Sequence, residues 1–298
     1  MPCYNPLTAY KTAGGSVVFV ENRKAHGDTY QITLACGQCH GCRLERSRQW
    51  ATRCVHEAAM HKYNAFVTLT YNEDNVPNRS QLQHEDFQKF MKRLRKHTGL
   101  DRVRFYMGGE YGPEHGRPHF HAAIFGYDFP DKKYFKRSPS GERIYTSEIL
   151  EKLWPYGYSS TAELTFESAA YIARYCMQKV TGPMAEEHYK RQDEKGEYQL
   201  KPEYNRMSLK PGIGATWLNK YKTDVYTYDH VIINGVQTRP PKYYDKLIKK
   251  EDPDKLAKHK EERERKGTEN RTDNTPQRLE AKQIVAIAKS KQLLRGKI

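Results

Sequence analysis

Three groups of residues in this 298-residue chain have types and spacings that can do chemistry. The first is His119-Phe120-His121, which runs on into the apolar stretch Ala122-Ala123-Ile124-Phe125. Alternate side chains of a β-strand share a face, so the two imidazoles project together while Phe120 points the other way. Two imidazoles on one face can hold one metal ion. With 12 histidines in the chain, roughly half an H-x-H arises by chance, so the pair needs independent support. Glu110 supplies it. A strand-like run, Arg102–Met107, ends in Gly108-Gly109-Glu110, and a short Gly/Pro-rich turn, Tyr111–Arg117, returns the chain into the histidine strand. An antiparallel hairpin there sets the carboxylate beside the imidazoles and makes an open site for a divalent ion. Two imidazoles favour manganese or zinc over magnesium, which prefers oxygen but is more available in cells.

The second group is Cys36-Gly37-Gln38-Cys39-His40-Gly41-Cys42. Three cysteines at this spacing arise by chance on the order of once in several hundred such chains. The glycines allow tight turns that aim successive thiolates at one ion. Tetrahedral zinc needs a fourth ligand, for which Cys3 is the first choice and His40 and Cys54 are alternatives; an iron–sulfur cluster is a further option. A closed site of this kind staples the N-terminal segment rather than catalysing. The third group is Tyr171, Tyr175 and Lys179, spaced i, i+4, i+8 within Glu167–Lys179, a helix-favouring run stopped by Gly182-Pro183. One helix face would then carry two phenols and an ammonium in a row, unless the tyrosines simply pack against a sheet.

The elements that position these groups follow from periodicity. Thr29–Leu34 and Ser16–Val20 are β-like, Arg43–Lys62 is a basic helix, and Ala65–Tyr71 alternates as a strand. A helix at Gln83–Lys96 places Phe87, Phe90, Met91 and Leu94 on one side. Tyr127–Pro139 is read as a surface excursion, Ile144–Trp154 as a short helix and Tyr158–Leu164 as a strand. Met184–Tyr204 is read as charged and mobile, Thr216–Tyr221 as a short helix, and Asn234-Gly235 as the turn of a hairpin. Beyond about Lys246 the chain is highly charged, with a terminal helix at Pro276–Leu294. These elements imply an α+β chain in four parts: a Cys-rich segment with a basic helix (1–62), a core carrying the histidines and tyrosines (63–182), a basic part (183–245) and a charged, partly helical or disordered tail (246–298).

Composition narrows the partner. Lys and Arg number 51 against 36 Asp and Glu, a net charge of +15 that suits a polyanion, nucleic acid first. The 22 tyrosines could offer faces on which bases stack. No apolar run is long enough for a membrane span, and the first twenty residues lack a signal-peptide core. A reducing cytoplasm is therefore expected, where six cysteines serve as metal ligands or buried thiols rather than disulfides.

Together these residues resemble a known family. Glu110, nine positions before His119-Phe120-His121, and the downstream Tyr171-x3-Tyr175 resemble the HUH endonucleases that initiate rolling-circle replication. The two-tyrosine helix resembles the branch found in isometric single-stranded DNA phages. Cys36–Cys42 running into Arg43-Leu44-Glu45-Arg46-Ser47-Arg48-Gln49-Trp50 is similar, more narrowly, to the replication initiators of gokushoviruses. The nuclease-like stretch covers about residues 64–180, and the narrower likeness extends through the N-terminus and the Lys210–Gly214 loop.

The resemblance implies a central antiparallel sheet of ferredoxin or RRM type flanked by helices. It implies a divalent ion, Mg2+ or Mn2+, on Glu110, His119 and His121, and a structural Zn2+ on the cysteines. Tyr171 and Tyr175 would be nucleophiles that form a 5′-phosphotyrosine, assisted by Lys179. Relatives often carry lysine three residues after the second tyrosine, where this chain has Gln178 and then Lys179. The substrate would be single-stranded viral DNA at a replication origin, in the cytoplasm of a bacterial host. Arg43, Arg46, Arg48, Arg53, Arg117 and Lys210 are the candidate backbone contacts. No G-x-x-x-x-G-K-[ST] loop is present, so unwinding falls to a host helicase alongside a host polymerase. Two rival readings differ in class: a zinc hydrolase using the histidines to activate water, and a non-enzymatic DNA-binding protein with a zinc knuckle.

Overall fold

In the computed structural model of the chain, Pro118–Phe125 is an eight-residue strand inside a seven-stranded, fully antiparallel sheet. The structure describes residues 3–99, 102–112, 116–175, 179–180, 182, 184–269 and 271–292. The chain divides into two compact units, one from Met1–Arg46 with Ala257–Leu294 and one from Ser47–Leu256.

The smaller unit begins with β1 (Leu7–Thr12), β2 (Val17–Val18), the short α1 (Arg23–His26) and β3 (Thr29–Leu34), in a sheet ordered β2-β1-β3. Helix α2 (His40–Ala58) starts within the cysteine run, three residues earlier than the basic composition alone predicts.

The larger unit is built on β4 (Asn64–Tyr71), α3 (His84–Thr98), β5 (Arg104–Tyr111) and β6 (Pro118–Phe125). It continues through β7 (Lys133–Arg137), β8 (Arg143–Thr146), α4 (Glu148–Leu153), β9 (Gly157–Ala162) and α5 (Phe166–Tyr175). Then come α6 (Met184–Tyr189), β10 (Lys190–Asp193), β11 (Gly196–Gln199), β12 (Tyr204–Met207) and α7 (Ala215–Tyr228). The hairpin β13 (Val231–Ile233) and β14 (Val236–Thr238) turns at Asn234-Gly235 as predicted, and α8 (Lys242–Glu251) follows. Sheet order is β12-β5-β6-β4-β9-β8-β7. Helix α9 (Pro253–Glu269) begins in this unit, and α10 (Pro276–Gln292) belongs to the smaller one.

Strand alternation splits the larger unit's core into two layers. Val67, Leu69, Tyr71, Met107, Phe120 and Ile124 face Phe87, Phe90, Met91 and Leu94 of α3 and Leu150, Leu153 and Trp154 at α4. Phe120 is fully buried there, its ring 5.8 Å from that of Phe87 and 5.9 Å from that of Trp154. The opposite face sets Phe66, Tyr106, Ala123 and Phe125 against Ala169, Ala170, Ile172 and Ala173 of α5 and against Ala51 and Cys54 of α2. The histidines stand on this second face. A further cluster joins Leu218, Val225 and Tyr226 of α7 to Val231, Ile233, Tyr244 and Ile248.

Three expectations need correction. Ile144–Trp154 is not one helix: Arg143–Thr146 adds a strand, and Ser147 caps α4, its hydroxyl accepting from the Leu150 N–H at 3.1 Å. Tyr127–Pro139 contains β7, an edge strand whose five residues are all exposed and include Lys133, Lys136 and Arg137; such charge discourages pairing with other chains. Met184–Tyr204 is ordered into α6, the β10–β11 hairpin and the start of β12, held partly by the Arg79–Asp193 ion pair at 2.8 Å. No described helix is long and apolar enough to cross a membrane.

Candidate functional site

Register brings the first ligand group together. In the β5–β6 hairpin Glu110 stands directly opposite His119, and Gly108 opposite His121. Directly opposed residues share a face, so the carboxylate and both imidazoles converge. The Glu110 Oε1 lies 2.7 Å from His119 Nε2 and 2.9 Å from His121 Nε2, and the three ligand atoms fall within 4.8 Å of one another. Glu110 and His121 are buried, whereas His119 is only half-buried and opens the cluster to solvent.

The other ring nitrogens fix the tautomers. His119 Nδ1 is 3.1 Å from the Arg117 carbonyl, which can only accept, so that nitrogen carries hydrogen. In a neutral ring, Nε2 then presents a lone pair to the Glu110 carboxylate, also an acceptor. A proton or a metal ion between them resolves that opposition, and the remaining oxygen, Glu110 Oε2, is buried without a hydrogen-bond partner among the described residues. His121 Nδ1 meets Thr68 Oγ1 at 3.0 Å, the kind of outer contact that orients a ligating imidazole. Burial pulls the Glu110 carboxyl upward, but hydrogen bonds and charge from His119 and His121 outweigh it and hold it below its ordinary value. Burial holds His121 below the usual histidine value, which keeps its ligating lone pair free at neutral pH. The donor set therefore fits a divalent ion.

Helix α5 brings the third group. Gly108, opposite His121, lets the helix approach closely: a Cβ there would meet Ile172 at 3.4 Å and the Asn205 amide at 3.1 Å. Tyr171 presents its ring edge-on to His121, centroids 5.0 Å apart, and to Phe66 at 6.3 Å. The Tyr175 side chain lies outside the described part of the structure. Lys179 does not extend the helical row; it is exposed and in no helix.

The cysteine group forms in the smaller unit. Cys3 joins Cys36, Cys39 and Cys42, with all four sulfurs within 4.8 Å of one another and pairs at 4.0 Å. Zinc–sulfur bonds of about 2.3 Å in a tetrahedron put sulfurs about 3.8 Å apart. The backbone N–H groups of Tyr4, Cys36 and Cys39 donate to Sγ atoms at 3.3 Å, stabilising thiolate charge. These four are free thiols rather than disulfides. The structure selects Cys3 over the alternatives: His40 Nε2 is 2.8 Å from Ser290 Oγ, and Cys54 is fully buried in the α2–α5 core, where burial pushes its thiol up. The purified chain is expected to carry one bound zinc or iron per molecule, with these thiols unreactive until a chelator removes it. Metal analysis with thiol titration checks this, and a metal-free chain with freely reactive thiols would refute it.

The cationic candidates divide. Lys210 is exposed, and Arg46 is exposed but donates to the Gly37 carbonyl at 3.3 Å. Arg43 is half-buried, Arg48 donates to the Arg239 carbonyl at 3.0 Å, and Arg117 donates to the Tyr71 carbonyl at 3.0 Å and pairs with Glu73. Arg53 is a correction. Its guanidinium is sandwiched between the Trp50 and Tyr243 rings, 3.9 and 4.0 Å from their centroids, and donates to the Ile213 carbonyl at 3.0 Å. The side chain is buried, so it serves packing rather than presenting its N–H edge to a phosphate. Thr68 went unread in the sequence, because only strand register reveals that it stands beside His121.

Residues 64–180 match the family described as Replication-associated protein ORF2/G2P. The chain is 32% identical over 267 residues to Replication-associated protein VP4 of Bdellovibrio phage phiMH2K, covering 87% of this chain and 81% of that one. It is 31% identical over 289 residues to Replication-associated protein ORF2 of Spiroplasma virus 4, covering 89% and 86%. Replication-associated protein ORF4 of Chlamydia phage 1 is 25% identical over 228 residues, 74% of this chain and 55% of that one. No solved structure gives a significant match.

Proposed function

Because this chain belongs to the replication-associated proteins of Microviridae, we propose that it is the HUH-type enzyme that nicks and rejoins single-stranded viral DNA at the replication origin. The observation that supports this most is the edge-on approach of the Tyr171 ring to His121, which sets a phenol beside the Glu110–His119–His121 cluster. Glu110, His119 and His121 would hold a divalent ion, Mg2+ or Mn2+, which when bound polarises a nonbridging oxygen of the scissile phosphate.

The chain's own residues do the rest. Thr68 and the Arg117 carbonyl hold the two imidazoles in ligating orientation. The Tyr171 phenol gives up its proton and its oxygen bonds to phosphorus, while the bond from phosphorus to the 3′-oxygen breaks. That oxygen takes a proton and leaves as a 3′-hydroxyl primer. One phosphodiester replaces another, so strands can be rejoined without ATP. With a reference pKa near 10, only about one phenol in a thousand is ionised at pH 7, so positioning and a nearby cation must make that fraction useful. Lys179 is the candidate cation. Tyr175, one helical turn on, would cut the regenerated origin while Tyr171 still holds DNA. Arg46 and Lys210 are the exposed cations offered to phosphates, and unwinding and synthesis fall to host helicase and polymerase in the bacterial cytoplasm.

Single-stranded oligonucleotides tiling the phage genome, labelled at the 3′ end and incubated with the chain and manganese, test this reading. A labelled adduct that survives boiling in detergent is expected for the origin-containing oligonucleotide, together with a free 5′ fragment. No adduct with any oligonucleotide would leave a non-enzymatic DNA-binding protein as the better reading.

A further inference from the structure

The face that carries the ligand cluster is only partly covered. Helix α5 packs over the rows that contain Phe66, Tyr106, Ala123 and Phe125, and reaches the Gly108 and His121 row through Ile172 and Tyr171. Pairing defines the row beyond: Glu110 is opposite His119, His119 opposite Thr70, and Thr70 opposite Tyr158. These four side chains therefore share one face in one row across β5, β6, β4 and β9. The next row is Gly108, His121, Thr68 and Ser160. Thr68, Thr70 and Ser160 are short and half-buried, while Tyr158 is 69% exposed.

A large aromatic so exposed on a sheet face needs a reason. Other aromatics are equally exposed, but Tyr158 alone among them stands in a row of the ligand cluster. Its ring has no stacking partner among the described residues. Its backbone, by contrast, is firmly placed. The preceding Gly157 lies so close to β4 that a Cβ there would fall 2.2 Å from the Asn72 nitrogen and 2.5 Å from the Thr70 carbonyl oxygen. Strand β8 pairs with β9 only at Thr161 and Ala162, away from Tyr158. The position is fixed and the ring is bare.

We propose that Tyr158 is a base-stacking platform for a nucleotide that flanks the scissile phosphate in single-stranded DNA. The inference rests on the nicking reading for the position of that phosphate. Two strand spacings, from β6 across β4 to β9, separate Tyr158 from His119, about 10 Å in all, so a chain held at the cluster crosses Tyr158 within a few nucleotides. The intervening Thr70 is too short to obstruct it. The net charge of +15 attracts the polyanion, and a phenol ring accepts the π-face of any base without reading its identity. Tyr158 is thus a positioning residue: it holds the strand taut beside the reacting atoms and takes no part in bond making.

The test is binding of a fluorescein-labelled oligothymidine of about twenty nucleotides at low salt, read by anisotropy, which does not require cleavage. Tyr158→Ala is expected to weaken binding about 5- to 150-fold, with Tyr158→Phe near the unchanged chain. Tyr228→Ala, at a residue 71% exposed at the end of α7, is the control and leaves binding unchanged. With 5-iodouracil in the oligonucleotide, photocrosslinking should label the peptide that holds Tyr158. The proposal is overturned if the unaltered chain does not hold the oligonucleotide, if Tyr158→Ala binds as tightly as it, or if the crosslink maps away from β9. The two readings fail separately. Adduct formation with no Tyr158 effect keeps the nuclease and removes the platform, whereas a Tyr158 effect with no adduct keeps the platform on a protein that binds without cutting.

Discussion

Changing Tyr171 and Tyr175 together to phenylalanine is expected to abolish the covalent protein–DNA adduct, while either change alone leaves part of it. Phenylalanine is the informative replacement because it keeps the ring that packs against His121 and Phe66 and removes only the nucleophilic oxygen. The packing of α5 through Ala169, Ile172 and Ala173 is untouched, so the melting temperature should stay within the small range typical of a benign change. If the tyrosines were only packing residues, the double change would leave activity intact. If one were the nucleophile and the other a bystander, one single change would equal the double. Single-turnover adduct formation on denaturing gels separates these outcomes.

The second large effect concerns the ligand cluster. Glu110→Ala is expected to lower adduct formation by on the order of 100-fold or more, since loss of outer contacts to a ligand already costs 10- to 100-fold. It should also remove a manganese-induced rise in melting temperature, which for the unaltered chain at 100 times the dissociation constant corresponds to about 2.7 kcal/mol. A Glu110→Ala chain that still gains stability from manganese would place the ion elsewhere. The pH dependence has a definite sign. The Glu110 carboxyl is held below its ordinary value by its histidine partners, so what it contributes to stability is present above the usual carboxylate range and lost as pH falls through the folded value. Because burial holds His121 low, its neutral form persists to more acid pH than that of an exposed histidine, and ligation should weaken correspondingly late on acidification. A titration of manganese binding against pH checks both.

Much of the site was legible because local pattern carried it. The alternation of Ala65–Tyr71 and of His119–Phe125 gave β4 and β6, and the Gly/Pro turn between Arg102–Met107 and His119 gave the hairpin that seats Glu110 opposite His119. The x2, x2 cysteines and Cys3 came together as their residue types suggested. What stayed hidden depends on register or on distant partners. Thr68 and Tyr158 share the histidine face only through strand pairing, which no periodicity reveals. Arg53 reads as one more charge on a basic helix until Tyr243, remote in sequence, closes over it. The β10–β11 hairpin, Lys190–Asp193 with Gly196–Gln199, is polar on both faces and so offers no period of two to read. Ile144–Trp154 was too short for periodicity to separate a strand followed by a capped helix from one helix.

The most direct measurement is the chemical location of the adduct. Adduct formed on an origin-containing strand can be digested with nuclease and protease and sequenced by mass spectrometry. The proposed mechanism predicts a nucleotide joined through its 5′-phosphate to the phenolic oxygen of Tyr171 or Tyr175, in a peptide drawn from residues 166–180. A nucleotide on any other residue, or joined through its 3′-phosphate, would contradict it.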